Sequence, residues 1–282
     1  MDSMTGKTVL VTGATNGIGF ITTRELAKMD ATVLMVARDE HKGRAKLEEI
    51  RQTVPHAKLE LFLADLSSMT SIRQLATNVK AKYSSLDVLV NNAGAFYSER
   101  KVSKDGLEMT FALNHIGYFL LTNLLLETLK RGKNSRIVSV SSGAHMSGKM
   151  NFDDLQFEKK FSGWQAYSDS KLANVLFTKE LSRRLEGTGV TANCLHPGFV
   201  KTGFANGTSG LIGYALNIAK NLMAITPEKG AETMIYLSSS DEVANVTGEY
   251  FEKKKIAKIN AQAEDSSVAK RLWEESEKLV AL

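Results

Sequence analysis

The sequence has little cysteine and little proline. Cys194 is the only cysteine among 282 residues, so no intramolecular disulfide can form, and a reducing compartment is expected. Because Cys194 lies in the apolar run 190–195, we predict a buried strand thiol rather than a reactive one. The chain contains three prolines and no linker rich in Pro, Gly and Ser, so we predict a single domain spanning residues 1–282.

Long hydrophobic runs are also missing. The N-terminal residues lack the basic region followed by an apolar stretch that marks a signal peptide, and no run of about 20 apolar residues occurs. The nearest candidate, residues 211–225, contains Asn217, Lys220 and Asn221. We therefore expect a cytoplasmic protein with at most peripheral membrane contact.

The charge is only mildly positive. Lys and Arg number 36 against 31 Asp and Glu, a formal net charge of +5. Nucleic-acid binding calls for a clustered basic face, whereas this surplus is small and dispersed, so no nucleic-acid partner is expected. Hydrophobic residues make up 43% of the chain, which is typical of a folded globular protein.

Short apolar runs alternate with longer amphipathic segments, the pattern of repeated βα units. The predicted strands are residues 8–11, 32–36, 59–63, 88–90, 136–140, 191–195 and 247–251. The predicted helices are residues 18–29, 41–53, 69–83, 106–129, 166–185 and 228–238. Most strands are continuous runs of Val, Leu and Ile, as expected when helices cover both faces of a parallel sheet. The expected fold is α/β, a single Rossmann-type doubly wound parallel sheet of about seven strands.

A glycine-rich turn, Thr12-Gly13-Ala14-Thr15-Asn16-Gly17-Ile18-Gly19, follows the first strand and opens the first helix. A helix N-terminus offers free N–H groups and a positive dipole end to a pyrophosphate, and glycine lets the phosphate approach closely. The alternative is a plain tight turn. Its place in the first βα unit favours a cofactor site, although the glycine spacing differs from that of most dinucleotide fingerprints.

The end of the second strand bears on which dinucleotide binds. An acidic residue there would bind the ribose 2′-hydroxyl of NAD, whereas an Arg would accommodate a 2′-phosphate. The strand ends in Ala37 and Arg38, and the planar guanidinium of Arg38 suits a phosphate. Asp39 follows immediately and keeps NAD as the alternative to the favoured NADP(H).

Tyr167 and Lys171 stand four residues apart on a predicted helix and therefore share one face. A free tyrosine titrates near pH 10, which is too high for a good base at neutral pH. A neighbouring ammonium would lower that pKa, so the pair could exchange a proton with an alcohol or a carbonyl. The same spacing begins at Tyr97 and at Tyr250, but these lie in a predicted loop and a predicted strand.

Other polar residues follow predicted strands, at the edge where an open parallel sheet places its ligand crevice. Ser142 could donate a hydrogen bond to a substrate oxygen, or act only as a turn or cap serine. Asn114 lies within an apolar helix, where a buried amide needs partners and a structural role is the alternative. Gly13, Asp65, Asn92 and Pro197 also fall at this edge.

Taken in order, these motifs resemble the short-chain dehydrogenase/reductase superfamily over residues 7–251. The shared pieces are the glycine-rich turn, Asp65-Leu66, Asn91-Asn92-Ala93-Gly94, Asn114, Ser141-Ser142, Tyr167-x-x-x-Lys171 and Pro197-Gly198-x-Val200-x-Thr202. The long interval from Ser142 to Tyr167 resembles the retinol dehydrogenase-like branch, as do Ser141-Ser142-Gly143-Ala144-His145 and residues 167–174. Many animal members of that branch carry a hydrophobic N-terminal anchor, which is not found here.

The resemblance implies a role for each residue. Tyr167 would be the acid/base, and Lys171 would lower its pKa and hold the nicotinamide ribose. Ser142 would polarise the substrate carbonyl, and Asn114 would anchor a water in a proton relay to Lys171. Thr202 would hold the nicotinamide amide. The remaining cofactor contacts would be Gly13, Thr15, Asn16, Gly17, Ile18, Gly19, Asp65, Leu66, Asn92, Ala93, Gly94, Pro197, Gly198 and Val200.

Residues 203–226 interrupt the βα pattern. They carry apolar side chains that the core does not need, such as Phe204 and Leu222, and glycines at 203, 207, 210 and 213. The glycines would let this segment move, as a lid must, so we predict a substrate lid. Its apolar side chains imply an elongated apolar substrate. A homodimer contact and a peripheral membrane contact are the alternatives.

Together these features predict an NADP(H)-dependent oxidoreductase that interconverts a hydrophobic aldehyde or ketone and its alcohol, without a metal site. The alternative is a non-catalytic NADP(H)-binding sensor or scaffold, because fold alone does not fix function. Degenerate sensors of this kind tend to lose the tyrosine or the lysine. This chain keeps both Tyr167 and Lys171, which favours the enzyme.

Overall fold

A computed structural model describes residues 3–198 and 225–282. Within them one sheet is formed by β1 (Thr8–Thr12), β2 (Thr32–Ala37), β3 (Lys58–Leu63), β4 (Val88–Asn91), β5 (Arg136–Val140), β6 (Thr191–His196), β7 (Tyr250–Glu252) and β8 (Lys255–Ile256). The strand order is β3-β2-β1-β4-β5-β6-β7-β8. The first seven strands pair in parallel, and β8 pairs antiparallel with β7 at the edge.

Helices flank the sheet on both sides. They are α1 (Gly17–Lys28), α2 (Glu40–Thr53), α3 (Met69–Lys82), α4 (Met109–Phe111), α5 (Gly117–Lys130), α6 (Gly163–Arg184), α7 (Pro227–Ser239), α8 (Ala261–Glu264) and α9 (Ser266–Val280). A π-helical turn, Ala112–Ile116, joins α4 to α5, and 3-10 helices span Gly143–Ser147 and Asp241–Val243.

The core lies in two layers, one on each face of the sheet. Successive side chains of a strand point to opposite faces, and β1 shows the division clearly. Leu10 packs with α3, α5 and α6 on one face, whereas Val9 and Val11 pack with α1, α2 and α7 on the other. All three side chains are fully buried. The predicted doubly wound α/β sheet is confirmed.

The predicted elements agree closely with the structure in the first six strands, whose bounds differ by at most one residue at either end. The seventh begins at Tyr250 rather than at residue 247. The preceding residues instead bond across to β6, where the Gly248 N–H donates to the Ala192 carbonyl at 2.7 Å. The short strand β8 was not predicted, because Lys255 and Ile256 are both exposed and show no alternation.

The C-terminal helix α9 was also not predicted. Trp273 of α9 stacks on Phe177 of α6 at 5.8 Å and meets Phe119 of α5 edge-on at 4.8 Å. His115, which is also buried, forms a 2.9 Å hydrogen bond with the Ser276 hydroxyl of α9. Burial lowers the pKa of this imidazole to about 3. Helix α9 therefore covers the outer face of α5 and α6.

Residues 106–129 were predicted as one helix but contain the π-helical turn. Gly117, which follows it, lies against the loop after β3, where an added Cβ would lie 2.7 Å from the Leu66 carbonyl oxygen. By length and composition, Met109–Lys130 could cross a membrane, and 72% of its most apolar window is buried in the protein. Sequence analysis had named residues 211–225 instead, of which only Ile225 is described.

Cys194 is buried in β6, as predicted. Burial raises the pKa of its thiol to about 12, so the thiolate is scarce at neutral pH and the side chain acts as a small apolar group. Of the predicted lid, residues 203–224 lie outside the described residues. Its last residue, Thr226, caps α7 by accepting a hydrogen bond from the Lys229 N–H.

Candidate active site

The predicted site residues follow the carboxyl ends of the parallel strands. Strand β1 lies beside β4, with β2 and β3 on one side and β5 to β7 on the other. The direction of winding therefore reverses between β1 and β4, and a crevice opens at such a point. Gly13 follows β1, Arg38 follows β2, Asn92 follows β4 and Pro197 follows β6. The fold brings these loops to one edge of the sheet.

The glycine-rich turn forms a close-packed cradle. Gly13 and Gly17 have φ of +64° and +50°, a conformation that favours glycine. A Cβ on Gly19 would lie 2.3 Å from Asn92 Nδ2 and 2.4 Å from the Gly13 carbonyl oxygen, so a larger residue cannot fit without displacement. The Asn16 side chain does not cap α1, which leaves the first N–H groups of the helix available to an anion. Thr15 lies in the turn, and Ile18 is half-buried in the first helical turn.

Asn92 has a structural role in this cradle. Its Nδ2 donates to the Thr12 carbonyl at 2.7 Å. The backbone N–H groups of Asn92 and Ala93 donate to the Thr12 hydroxyl at 2.8 and 3.1 Å, and that hydroxyl donates to the Val90 carbonyl at 3.1 Å. Thr12 is fully buried and ties β4 to the turn. Sequence analysis did not single out Thr12 as the residue that holds the two loops together.

The ends of β2 and β3 carry the charged side of the crevice. Arg38 is exposed and lies near enough to Asp65 to affect its carboxylate. Burial raises the pKa of Asp65, but hydrogen bonds from Ser67 and the charges of Arg38 and Lys104 lower it to below the ordinary value. Asp39 caps α2, with its carboxylate accepting from the Lys42 N–H at 2.8 Å. Leu66 is buried beside the start of α5.

Tyr167 and Lys171 lie one turn apart on α6. The Lys171 Nζ is 5.6 Å from the centre of the Tyr167 ring and donates to the Val140 carbonyl, at the end of β5, at 3.1 Å. Burial lowers the pKa of Lys171 to about 7. Burial also raises the pKa of Tyr167 to about 12, and a hydrogen bond with the Ser142 side chain acts in the opposite direction.

This result differs from the expectation that Lys171 lowers the pKa of Tyr167. In the protein alone, the effect of burial is larger, and Ser142 is the neighbour that opposes it. The physical reason is that removal from water disfavours the charged form of both groups. Near pH 7 the site therefore holds a neutral phenol beside a lysine close to its own titration point.

Ser142 begins the 3-10 helix Gly143–Ser147. Its hydroxyl oxygen accepts from the Ala144 N–H at 3.2 Å, so the cap role that sequence analysis kept as an alternative is present. The same side chain is hydrogen-bonded to Tyr167 and lowers its pKa, which is the effect of a donor on the phenolate. A hydroxyl has one proton and two lone pairs, so Ser142 can keep the bond from Ala144 while its proton turns from Tyr167 to a substrate oxygen.

Asn114 lies in the π-helical turn and is fully buried. Its Oδ1 accepts from the Ala95 N–H at 2.9 Å, and its Nδ2 donates to the Ala95 carbonyl and the Ser170 hydroxyl, both at 3.0 Å. Both polar atoms of the amide therefore have hydrogen-bond partners within the protein, as the structural role predicts. A Cβ on Gly94 would lie 3.1 Å from Asn114 Oδ1 and 3.5 Å from Lys171 Nζ. Asn114 and Lys171 therefore face the same small space beside Gly94.

Apolar side chains that sequence analysis missed surround Tyr167. The Phe96 ring meets it edge-on at 6.0 Å, and the Trp164 ring lies 6.3 Å away. Trp164 is 41% exposed, a large value for such an apolar group. Trp164 precedes Tyr167 by three residues, a helical spacing that could have placed it on the same face.

The loop after β6 is only partly described. Pro197 and Gly198 are half-buried. Gly198 has φ of +88°, and a Cβ there would lie 2.7 Å from Ile225 Cδ1, so both the backbone and the contact favour glycine. Val200 and Thr202 lie outside the described residues. Among the residues that are described, no group of three or more His, Cys, Asp or Glu is arranged to hold a metal ion.

Comparison with known proteins gives consistent matches. The sequence profile of a family described as short chain dehydrogenase matches residues 7–211. Retinol dehydrogenase 13 of Homo sapiens is 43% identical over 98% of this chain and 85% of its own length. An uncharacterised protein from Mycobacterium paratuberculosis has a solved structure with a TM-score of 0.81 and 34% identity, covering 100% of this chain and 96% of that one. A structure from Beutenbergia cavernae that is described as an NAD(P) dependent gluconate 5-dehydrogenase, with NADP bound at low occupancy, has a TM-score of 0.72 and 26% identity, covering 89% of this chain and 96% of that one.

Fold and family together define the protein as an oxidoreductase built on a Rossmann-type sheet. The extent of the profile match and the identity to the human relative place it more narrowly. The chain belongs to the short-chain dehydrogenase family, in its retinol dehydrogenase-like branch. The resemblance expected from the motifs is confirmed.

Proposed function

We propose that this protein is an NADP(H)-dependent enzyme that interconverts an elongated, apolar aldehyde or ketone and its alcohol. The observation that carries the proposal is the grouping of Tyr167, Lys171 and Ser142 at the carboxyl end of β5. A proton donor, a cation and a hydroxyl meet there beside a glycine cradle. Dehydrogenation of an alcohol needs this combination, because a proton must leave the oxygen while a hydride leaves the carbon.

The residues around the crevice fit a nicotinamide dinucleotide. Gly13, Gly19 and Gly94 each lie where an added Cβ would meet a protein neighbour at 3.1 Å or less, so glycine lets the loops that form the crevice pack closely. The uncapped start of α1 suits the pyrophosphate. The bound cofactor supplies or accepts the hydride, and the protein holds it in place.

NADP(H) is proposed over NAD(H) because of two neighbouring residues. Arg38 is exposed at the end of β2, free of steric cover, and can meet a 2′-phosphate. Asp39, the residue that could serve a ribose hydroxyl instead, uses its carboxylate to cap α2. The Beutenbergia cavernae relative was solved with NADP, which supports the same choice.

In the proposed mechanism Tyr167 gives its phenolic proton to the carbonyl oxygen, or takes the alcohol proton in the reverse direction. Ser142 donates a second hydrogen bond to that oxygen as negative charge develops on it. The ammonium of Lys171, held on the Val140 carbonyl, stabilises the phenolate left by proton transfer. Asn114 fixes the wall beside Lys171 through its bonds to Ala95 and is proposed to hold the water that returns a proton.

The substrate class rests on the apolar side chains near Tyr167. Phe96 and Trp164 offer exposed or half-exposed apolar surface beside Tyr167, whose contact with an apolar chain is favourable by about 25 cal/mol per Å². The human relative is named a retinol dehydrogenase, which is consistent with such a substrate.

In this proposal residues 203–226 act as the substrate lid of a single domain, residues 1–282. The protein is proposed to be cytoplasmic, with at most peripheral membrane contact. A homodimer contact through residues 203–226 is the alternative to the lid.

The proposal is tested by following the near-ultraviolet absorbance of NADPH with purified protein. The carbonyl panel contains retinal, apocarotenals, small aromatic aldehydes and small polar ketones. We expect turnover with the long apolar compounds and little with the polar ketones. Tight NADPH binding without turnover on any member of the panel would instead favour the sensor or scaffold function.

A further inference from the structure

The turn that follows Ser142 is closed by three hydrogen bonds to that residue. The Ser142 hydroxyl accepts from the Ala144 N–H, and the Ser142 carbonyl oxygen accepts from the backbone N–H of His145 at 3.0 Å. The same carbonyl also lies 2.7 Å from His145 Nδ1. Ser142 is thus held at both its side chain and its backbone, and His145 makes two of these three bonds within the turn. The Ser142 side chain is also hydrogen-bonded to Tyr167.

The bond from the imidazole ring fixes where its proton lies. A carbonyl oxygen only accepts hydrogen bonds, so His145 Nδ1 must carry the hydrogen and donate it. Burial lowers the pKa of His145, which favours the neutral ring. Nε2 is then a bare acceptor, and within residues 3–198 and 225–282 it has no hydrogen-bond partner. The ring is almost fully buried, so the unpaired nitrogen reduces the free energy of unfolding by part of its desolvation penalty.

The surroundings hold the ring and the turn from a second side. The Tyr250 ring lies 4.5 Å from the His145 ring, and His196 of β6 lies close by. Asn260 Nδ2 lies 3.0 to 3.2 Å from the carbonyl oxygens of His145, Met146 and Gly148. Asn260 therefore fixes the carbonyl groups that follow Ser142. The Ser142 peptide group itself is held by the two bonds that its carbonyl oxygen accepts from His145, one from the backbone N–H and one from Nδ1–H.

We infer that His145 is a positioning residue for Ser142, and that it acts by donating Nδ1–H to the Ser142 carbonyl. The fixed peptide keeps the Ala144 N–H on one lone pair of the Ser142 hydroxyl, and this orients the hydroxyl proton toward the substrate oxygen. His145 itself does not touch the substrate in this scheme. The inference rests on the proposed role of Ser142 in catalysis, and it deepens that role.

Two variants of similar size and polarity separate the donor from the ring. In His145→Asn the side-chain nitrogen is attached to Cγ, as Nδ1 is in histidine, so the donor is kept at the same reach. In His145→Gln the nitrogen is one bond further out, at the reach of Nε2. We expect kcat for an apolar aldehyde to fall less than about threefold in the Asn variant. In the Gln variant we expect a loss on the order of 10- to 100-fold, as small misplacements at an active site produce.

A double-mutant cycle distinguishes positioning from general structural damage. In the Ser142→Ala background, His145→Gln should cause no further loss of kcat, because the group that His145 positions is gone. NADPH binding should be unchanged in every variant. Equal losses in the Asn and Gln variants, or a full additional loss in the Ser142→Ala background, would show that the ring only packs, and would overturn the inference.

A measurement without turnover keeps the inference testable if the proposed function fails. The chain has five histidines, and nitrogen-15 spectra of histidine-labelled protein report which ring nitrogen of each carries hydrogen. The His145 signal is identified by its loss in His145→Asn. We expect Nδ1 to be protonated and Nε2 bare. A signal with hydrogen on Nε2 and none on Nδ1 would reject the donor role even if no carbonyl substrate is ever found.

Discussion

The two ends of the crevice are built differently. At the ends of β4 to β6, Asn114, Lys171 and Ser141 are buried and hydrogen-bonded to the protein before any ligand binds. At the ends of β2 and β3, Arg38 is exposed and acts on Asp65 through its charge. Changing one member of a buried hydrogen-bonded group costs much free energy, because its partners are left unpaired. The interactions of exposed charges are weaker because solvent and salt screen them. We therefore expect large effects at the first end and smaller ones at the second.

The largest effect is expected for Tyr167→Phe, which keeps the ring and removes the proton. A positioned acid/base group contributes about 10²–10⁴-fold, so kcat with an apolar aldehyde should fall by that amount while NADPH binding is retained. Steady-state kinetics and a binding titration measure the two quantities. Tyr236→Phe is the matched control, because the Tyr236 hydroxyl donates to the Glu242 carboxylate at 2.9 Å and belongs to neither end of the crevice. Near-normal activity of Tyr167→Phe would exclude this residue as the acid/base.

The direction of the reaction should depend on pH in a way that follows from Tyr167. Burial raises the pKa of Tyr167 to about 12, so the phenol that donates in reduction predominates at all ordinary pH values. Alcohol oxidation needs the phenolate, whose fraction rises about tenfold per pH unit below the pKa. The kcat for oxidation should therefore increase from pH 7 to 10, whereas the kcat for reduction should not. A bound cofactor that lowers the pKa of Tyr167 would move the oxidation profile to lower pH, and oxidation would still increase with pH.

Ser142→Ala is expected to have the next largest effect. Loss of one donor to the developing oxyanion costs on the order of 3 kcal/mol, or roughly 100-fold in kcat. Ser141→Ala is the control, since the Ser141 hydroxyl donates to the Lys171 carbonyl at 2.7 Å and so does not face the substrate. A larger loss of kcat in Ser141→Ala than in Ser142→Ala would contradict the assigned roles.

The contrast between the two ends also explains what the sequence could predict. Strands of Val, Leu and Ile and the spacing of Tyr167 and Lys171 depend on local patterns, and the structure places them as the patterns indicate. The pKa of Tyr167 depends instead on how deeply α6 is buried, which no local pattern reports. Trp164 and Thr12 were missed for a related reason, because one depends on exposure and the other on contacts made across about 80 residues.

Helix α9 shows a different kind of omission. Its sequence carries the signals of a helix, with Asp265 as the cap and apolar residues such as Ala269, Leu272 and Val280 on one side. The alternation of strands and helices ends at β7, so the βα pattern does not predict a helix beyond it. A helix outside the repeat is predicted only from its own cap and its own apolar periodicity.

At the exposed end, Arg38→Asp should reverse the cofactor preference. The change removes a cation that can pair with the 2′-phosphate and introduces a charge that repels it. A charged hydrogen bond is worth about 1.5–3 kcal/mol, so NADPH affinity should fall roughly 10- to 100-fold while NADH affinity rises. Titrations with both dinucleotides at two salt concentrations would show the electrostatic part. If the unchanged protein binds NADH at least as well as NADPH, the proposed role of Arg38 is wrong.

The smallest effect is expected for Trp164, whose ring lies 6.3 Å from the ring of Tyr167. Because Trp164 is 41% exposed, it can contribute only part of its surface to a bound substrate. Truncation in Trp164→Ala should cost about 1 kcal/mol, or roughly a fivefold rise in KM, for long apolar carbonyls. Small aldehydes should be unaffected, and Trp164→Phe should behave nearly as the unchanged protein because it keeps an aromatic surface.

Fluorescence gives an independent reading of the same contact. The chain has two tryptophans, and Trp273 is buried between Phe119 and Phe177. In a Trp273→Phe background, Trp164 is the sole tryptophan, and its emission should change when a long apolar carbonyl binds to the NADPH complex. The change should be absent with a small polar ketone at the same concentration. An equal response to both compounds would mean that Trp164 senses the cofactor alone, and the apolar surface beside Tyr167 would then have no part in choosing the substrate.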